Sequence, residues 1–323
     1  MKKEEKHSNS SLTTIKQQKT KRFLTKRILT LFILMIIGVV IFFYLFTIYH
    51  DIGQAYRTAI QDPSVQTTET IEVSPIDQHK SVTFLIVGVD YGQAGRLDEK
   101  RADVVTTLTI NPHTKESLQV NLSRLLKSEA QDVTLGHTYQ SGGLTRLKSE
   151  VEMLLEVPID HVVMIELSEL RPLLDSLKGL DLENESDIQI GEQFISENQA
   201  VHLSSREVML YLQTQADESE WTHNKRQVHV LEQLSNQLVA QFSDVRQLPQ
   251  LKQFFTDVEG LFVTDVSYET LVNFTRNNYI KNLAQRSIIN LRGDYQATES
   301  PYELIDNQKI ERTRQAINQV IGE

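Results

Sequence analysis

The chain has 323 residues with 33 Lys and Arg against 43 Asp and Glu, a formal net charge of −10 and no cysteine, which excludes disulfides, thiol catalysis and thiolate metal sites. Nine basic and two acidic side chains give the first 27 residues a balance of +7, leaving −17 for the remainder. So acidic a body repels nucleic acid, and no nucleic-acid partner is expected.

Residues Ile28 to Ile48 are apolar apart from two threonines, Gly38 and Tyr44. About 20 such residues at about 1.5 Å each cross a hydrocarbon core, so a transmembrane helix is expected over 28–49. The basic segment 1–27 before it predicts a cytoplasmic N-terminus and a single-pass protein of the cell membrane, with the rest of the chain extracytoplasmic. A cleaved signal peptide fits less well, because the run is long and Thr47-Ile-Tyr-His50 offers no small-x-small cleavage site. Residues 50–80 are polar, hold two prolines and lack a sustained period, which reads as a stalk. Residues 81–323 then form one domain, with neither a repeat nor a second linker to divide it.

Within that domain strands are predicted at Val82 to Val89, Val104 to Ile110, Leu118 to Leu122, His161 to Leu167 and Ser287 to Leu291, all rich in Val, Ile and Thr. Helical periods lie between them. One starts at Thr145 and places Leu147, Val151, Leu154 and Leu155 on one stripe. Ser204 to Glu207 has capping-box spacing, and the longest helix begins near Thr222 with Val228, Leu231, Leu234, Leu238 and Phe242 on one face. Such alternation predicts an α/β (α+β) fold with a mixed central sheet flanked by helices.

Asp90 ends one apolar run and Asp103 begins the next, with Arg101 alongside. Adjacent strand ends would converge these side chains on a hard cation and a phosphate; a turn cap and a solvated strand end are the plainer readings. Arg124 lies just past a strand, where a guanidinium grips phosphate, or serves as an ordinary surface residue. Arg226 and Gln227 are expected in the first turn of the long helix, where free N–H groups favour anions; pairing of Arg226 with a nearby Glu is the alternative. Gly142-Gly143 reads as a turn, and His223 and His229 as surface or helix-terminal residues. No nucleophile elbow, Walker A loop, dinucleotide fingerprint or His-Glu-x-x-His zinc helix is present.

The order of these elements resembles the LytR-CpsA-Psr family, envelope phosphotransferases of mainly Gram-positive bacteria. Phe84-Leu-Ile-Val-Gly-Val-Asp90 is similar to its first strand and aspartate, and Arg101-Ala-Asp103 to its Arg-Ser-Asp segment. Val120-Asn-Leu-Ser-Arg124 resembles the strand ending in Ser-x-Pro-Arg-Asp, His137-Thr-Tyr-Gln-Ser-Gly-Gly143 the His-Ala-Tyr…Gly-Gly turn, and Arg226-Gln227 the closing Arg-Gln.

The resemblance implies transfer of a glycan phosphate, of teichoic acid or capsular type, from undecaprenyl pyrophosphate to a peptidoglycan hydroxyl. Its partners would be the polyprenyl-pyrophosphate-linked glycan, the peptidoglycan acceptor and membrane lipid, and an apolar groove between sheet and helices would take the lipid tail. Asp90 and Asp103 would hold Mg²⁺ or Mn²⁺, Arg101, Arg124 and Arg226 would neutralise charge, and Gln227 would orient an oxygen. The chain also departs from the family. Gln213 and Gln215 occupy two phosphate-binding arginine positions, His223 a third, Thr134 a lysine position and Leu125 an aspartate position. These changes leave open a catalytically impaired relative that binds polyprenyl lipid and regulates the envelope, or gene expression, indirectly.

Overall fold

A computed structural model of the chain describes residues 39–61, 80–90, 101–127, 133–214, 220–242, 248–276 and 286–322, with Met35, Ile37, Tyr279 and Leu283. It divides into two units, Met1–Asp51 and Ile52–Glu323. In the first, residues 39–51 are helical, and the side chains from Val39 to Phe46 are largely exposed. Among the described residues no helix is long and apolar enough to cross a membrane. The N-terminal part of the span expected over 28–49 lies outside them.

The second unit opens with helical residues 52–59, followed by β1 (Ile60–Gln61), β2 (Val82–Asp90), β3 (Arg101–Asn111), β4 (Glu116–Leu122) and β5 (Leu126–Lys127). Next come α1 (Leu135–Leu155), β6 (His161–Glu166), α2 (Arg171–Ser176) and four short strands, β7 (Leu180–Glu183), β8 (Ile188–Ile190), β9 (Gln193–Ile195) and β10 (Ala200–Leu203). Then follow α3 (Ser205–Gln213), α4 (Glu220–Phe242), α5 (Leu248–Asp257), β11 (Phe262–Thr264), α6 (Tyr268–Arg276), β12 (Ser287–Leu291), β13 (Asp294–Gln296), β14 (Tyr302–Leu304) and α7 (Asn307–Ile321). A seven-stranded sheet runs β1-β11-β6-β2-β3-β4-β12, with β2 antiparallel to β3 and parallel to β6. This is the mixed sheet the sequence predicts, and its central strands read as apolar runs because both faces are covered.

One face carries Leu85, Val87, Val105, Val120 and Leu122 against Leu147, Val151 and Leu155 of α1 and Ile317 of α7. The other packs Val104 and Ile165 against α2, α3 and α4, with Val230 and Leu234 as the closed residues of α4. Val228, Leu231 and Leu238 of the expected stripe are only partly buried. A polar network also ties α4 to the sheet. Gln119 Nε2 donates to Glu232 Oε1 at 2.5 Å, Asn121 Nδ2 to Asn290 Oδ1 at 2.9 Å, and Arg286 to both Gln119 Oε1 (2.6 Å) and Asn236 Oδ1 (2.9 Å).

Three expectations change. The helix predicted from Thr145 begins at Leu135, so the His137 to Ser141 segment is helical; Gly143, at φ 66 and ψ −161, kinks it rather than making a free turn. That conformation is open to glycine alone, which lets the chain bend without ending the helix. The head of the expected stalk is structured. Residues 52–59 are helical, Tyr56 donates from its hydroxyl to Val266 O at 2.7 Å and meets Phe255 edge-on, and β1 pairs with β11. Residues 62–79 lie outside the described residues. The capping box is present: Ser204 Oγ accepts from Glu207 N, and Glu207 Oε2 accepts from Ser204 N at 2.8 Å.

Candidate functional site

Asp90 closes β2 and stands opposite Arg101, the first residue of β3. The register then shifts, with Val89 facing Ala102 but Gly88 facing Val104, so Asp103 is the extra residue of a β-bulge. Bulges re-aim the side chain they carry. Gly88 allows the strands to close there, since a Cβ would lie 3.0 Å from Val104 Cβ and 3.2 Å from Leu167 Cδ2.

Asp103 is 3% exposed and Arg124 7%, and Arg124 Nη1 donates to Asp103 Oδ1. A buried pair of this kind, charge-assisted on both sides, fixes the guanidinium at the strand ends. Arg124 occupies the turn between β4 and β5, where its carbonyl accepts from Gly136 N at 2.9 Å. A Cβ on Gly136 would sit 3.0 Å from Ala102 O and 3.3 Å from Arg124 Cβ, so glycine lets the first turn of α1 press against the site. Thr134 caps that helix in extended conformation and its Oγ1 lies 2.8 Å from His137 Nδ1.

From the opposite face, α4 brings four side chains. Asn224 Nδ2 donates to Asp103 O. Arg226 Nη2 donates to Thr214 O, and its guanidinium carbon lies 5.4 Å from the Tyr211 ring centroid. His223 Nε2–H donates to Leu212 O at 2.8 Å. Burial holds the His223 pKa below the ordinary imidazole value; the charges of Arg226 and Arg124 push the same way, against the Leu212 carbonyl and Asp103. The ring is therefore neutral near pH 7. Gln227 is 2% exposed and its Oε1 has no hydrogen-bond partner among the described residues.

The structure thus gathers Asp90, Arg101, Asp103, Arg124, His223 and Arg226 at one end of the sheet. Arg226 and Gln227 stand beyond the first turn, because α4 begins at Glu220; the free N–H groups expected to favour an anion beside them belong to earlier residues. Among the described residues Arg226 bonds the backbone carbonyl of Thr214. His223 is helix-terminal but buried, and His229, with its side chain 12% exposed, lies 4.0 Å from Glu185 Oε1. Gln213 is exposed at the end of α3, while Gln215 and the loop 91–100 lie outside the described residues. Asn224, Tyr211 and the Thr214 carbonyl were not singled out in the sequence. Asn224 stands in the polar stretch Thr222-His-Asn-Lys-Arg-Gln227, where nothing in the sequence sets it apart.

The two carboxylates supply hard oxygen donors of the kind Mg²⁺ and Mn²⁺ prefer, while one oxygen of Asp103 is shared with Arg124. Among the described residues no group of three or more His, Asp or Glu gathers into a fuller cage. A cation held by these two carboxylates would take its remaining ligands from phosphate and water.

A mixed-sheet α/β domain with carboxylates and guanidiniums gathered at its strand ends defines the class, and the sequence match makes it specific. The chain belongs to the LytR-CpsA-Psr family, whose model (LytR_cpsA_psr family) matches residues 44–319. It is 23% identical over 284 residues to the polyisoprenyl-teichoic acid–peptidoglycan teichoic acid transferase TagU of Enterococcus faecalis, covering 84% of this chain and 88% of that one. To the protein of the same name in Halalkalibacterium halodurans it is 29% identical over 170 residues, half of this chain (50%) and 55% of the relative. The fold matches Bacillus subtilis TagV with a TM-score of 0.62 at 16% identity, over 76% of this chain and 98% of that one. It also matches TagT bound to LIIa-WTA with a TM-score of 0.61 at 19% identity, over 78% and 95%.

Proposed function

We propose that this protein is a membrane-anchored transferase of cell-wall assembly. It moves a glycan phosphate from a polyprenyl pyrophosphate to a peptidoglycan hydroxyl on the outer side of the membrane. The names of its relatives support transfer of a wall glycopolymer to peptidoglycan. The single observation that carries the reading to this chain is the buried Asp103–Arg124 pair at the strand ends, flanked by Asp90, Arg101 and Arg226. Pyrophosphate chemistry needs such fixed cations, because catalysis there is chiefly positioning and charge neutralisation.

In this reading Arg101, Arg124 and Arg226 bind the phosphates, and Asn224 and Asp103 hold Arg124 in place. Gln227 offers its buried amide to a substrate oxygen or hydroxyl. Asp90 and Asp103 would hold Mg²⁺ or Mn²⁺, which neutralises charge on the pyrophosphate when bound. Partly exposed apolar side chains on the sheet face toward α4 and α6, namely Phe84, Ile86, Leu108 and Val163, suit a lipid tail.

A second reading, a lipid-binding relative with little turnover, is favoured by the neutral, buried His223 and the exposed Gln213. Each missing arginine removes a charge-assisted bond of about 1.5–3 kcal/mol. The test uses the full-length protein in lipid vesicles with a short-chain polyprenyl-pyrophosphate glycan and peptidoglycan. The transferase reading expects release of polyprenyl phosphate that depends on Mg²⁺ and is lost in Asp103→Ala. Absence of release, or release untouched by Asp103→Ala, rejects it. A gain of activity on replacing Gln213→Arg and Gln215→Arg together would mark the native protein as impaired.

A further inference from the structure

The proposed reaction needs a second substrate, and a surface for it lies beside Arg124. The chain leaves β4, turns at Arg124 and enters β5 within two residues. There β5 joins a small second sheet in the order β13-β14-β5, with β14 parallel to β5 and β13 antiparallel to β14. On its other side Lys127 bridges Thr134, the cap of α1. Glu303 N donates to Leu125 O at 2.8 Å, and Ser123 N to Leu291 O at 3.2 Å, so this sheet continues from the end of the main sheet where the site lies.

The two faces of the small sheet differ. Leu126 (2% exposed) and Glu303 (0%) point inward, where Glu303 accepts from Arg292 Nη2 at 2.9 Å and Gly293 N at 3.0 Å. The register puts Lys127 beside Leu304, and Leu304 and Tyr302 beside Asp294 and Gln296, on the outer face. Lys127 Nζ lies 4.8 Å from the Tyr302 ring centroid, and Leu304 is 40% exposed. An aromatic ring backed by a cation and bordered by a primary amide and a carboxylate is the chemistry that binds a sugar: C–H groups pack on the ring, and hydroxyl and acetamido groups bond to the rim.

We propose that this outer face, with Tyr302 and Lys127 at its centre, is the binding site for the acceptor glycan strand. The inference rests on the transferase reading. Phosphoryl transfer requires attacking and leaving oxygens roughly in line across the phosphorus. The helices α4 and α1 cover opposite faces of the main sheet, and the small sheet joins the chain on the α1 side through the Lys127–Thr134 bridge; with the donor held against α4, an acceptor lying on the small sheet would come from the α1 side.

Full-length protein in detergent is tested for co-sedimentation with insoluble peptidoglycan stripped of its attached polymers. In parallel, polyprenyl phosphate release is followed against the concentrations of donor and of soluble peptidoglycan fragments. Tyr302→Ala is expected to weaken sedimentation and raise the acceptor KM about tenfold, the size of one good aromatic contact, with the donor KM unchanged. Tyr302→Phe should restore both, and Lys127→Gln should act in the same direction as Tyr302→Ala, more weakly. Sedimentation and acceptor KM at native values in Tyr302→Ala overturn the proposal, as does an equal rise in both KM values. Should Tyr302→Ala not fold, Lys127→Gln decides by the same criteria. If the native protein releases no polyprenyl phosphate, the transferase reading fails by itself; sedimentation lost in Tyr302→Ala still upholds the sugar-binding face, and unchanged sedimentation rejects it.

Discussion

Arg124 is nearly closed to solvent, and the carboxylate it neutralises is more so. Removing one partner of such a pair strands the other charge, so Arg124→Met is expected to lower unfolding stability by about 3–5 kcal/mol in urea titrations. Asp103→Asn together with Arg124→Met should lose less than the sum of the two single changes. His223 gives a pH signature. Its folded pKa lies below the ordinary value, so the unfolded chain takes up the proton first. The stability tied to the neutral ring is complete above the unfolded pKa of about 6.5 and is lost as pH falls through the depressed folded value. Urea midpoints at pH 7 and pH 5 should therefore diverge more in the native protein than in His223→Gln. At this scale the charged residues of the site were legible, because Asp90, Arg101, Asp103 and Arg124 sit at the ends of apolar runs. Their supports were not. A backbone carbonyl such as that of Thr214 has no letter in the sequence, and the bulge at Asp103 alters register without altering composition.

The elements divide by length. The central strands β2, β3 and β6 were legible because a sheet covered on both faces reads as a largely apolar, β-branched run; β4 and the mostly exposed edge strand β12 were legible from their Leu, Val and Ile residues. Strands of two to four residues, such as β5, β7 and β14, carry no period to detect, and their existence depends on partners distant in the chain. The Gly142-Gly143 pair misled for a related reason, since a kink and a turn ask for the same residue. Gly143→Ala should cost about 1–3 kcal/mol of stability by thermal or urea unfolding, because a Cβ is strained at φ 66. The amide network under α4 is similarly exacting. Asn121 receives from Thr106 Oγ1 at 3.1 Å and Gln119 Nε2 at 2.7 Å while donating to Asn290. Asn121→Ala leaves those groups unmet and is expected to cost about 2–3 kcal/mol in the same assay. Asn121→Asp should be tolerated less well still, since it faces Glu232.

Across the whole molecule, net charge works against capture of the proposed substrate, because in that reading a body of −17 receives an anionic glycan phosphate. Screening should help it. Raising ionic strength from about 20 to 150 mM, which shortens the screening length to about 8 Å, is expected to increase kcat/KM for a donor bearing an anionic polymer. A fall instead would mean that the arginines at the strand ends dominate the encounter. Composition drew the border of the folded domain too late, near residue 81, since polarity and proline marked everything between the apolar segment and Val82 alike. Yet β1 already belongs to the main sheet and Tyr56 to its packing. A soluble fragment cut after Gln61 would therefore uncover the free edge of β11 and the ring faces of Phe255 and Tyr268, an adhesive seam of the sort that recruits a second chain. A shortened form that keeps this seam covered has to begin ahead of Ile52.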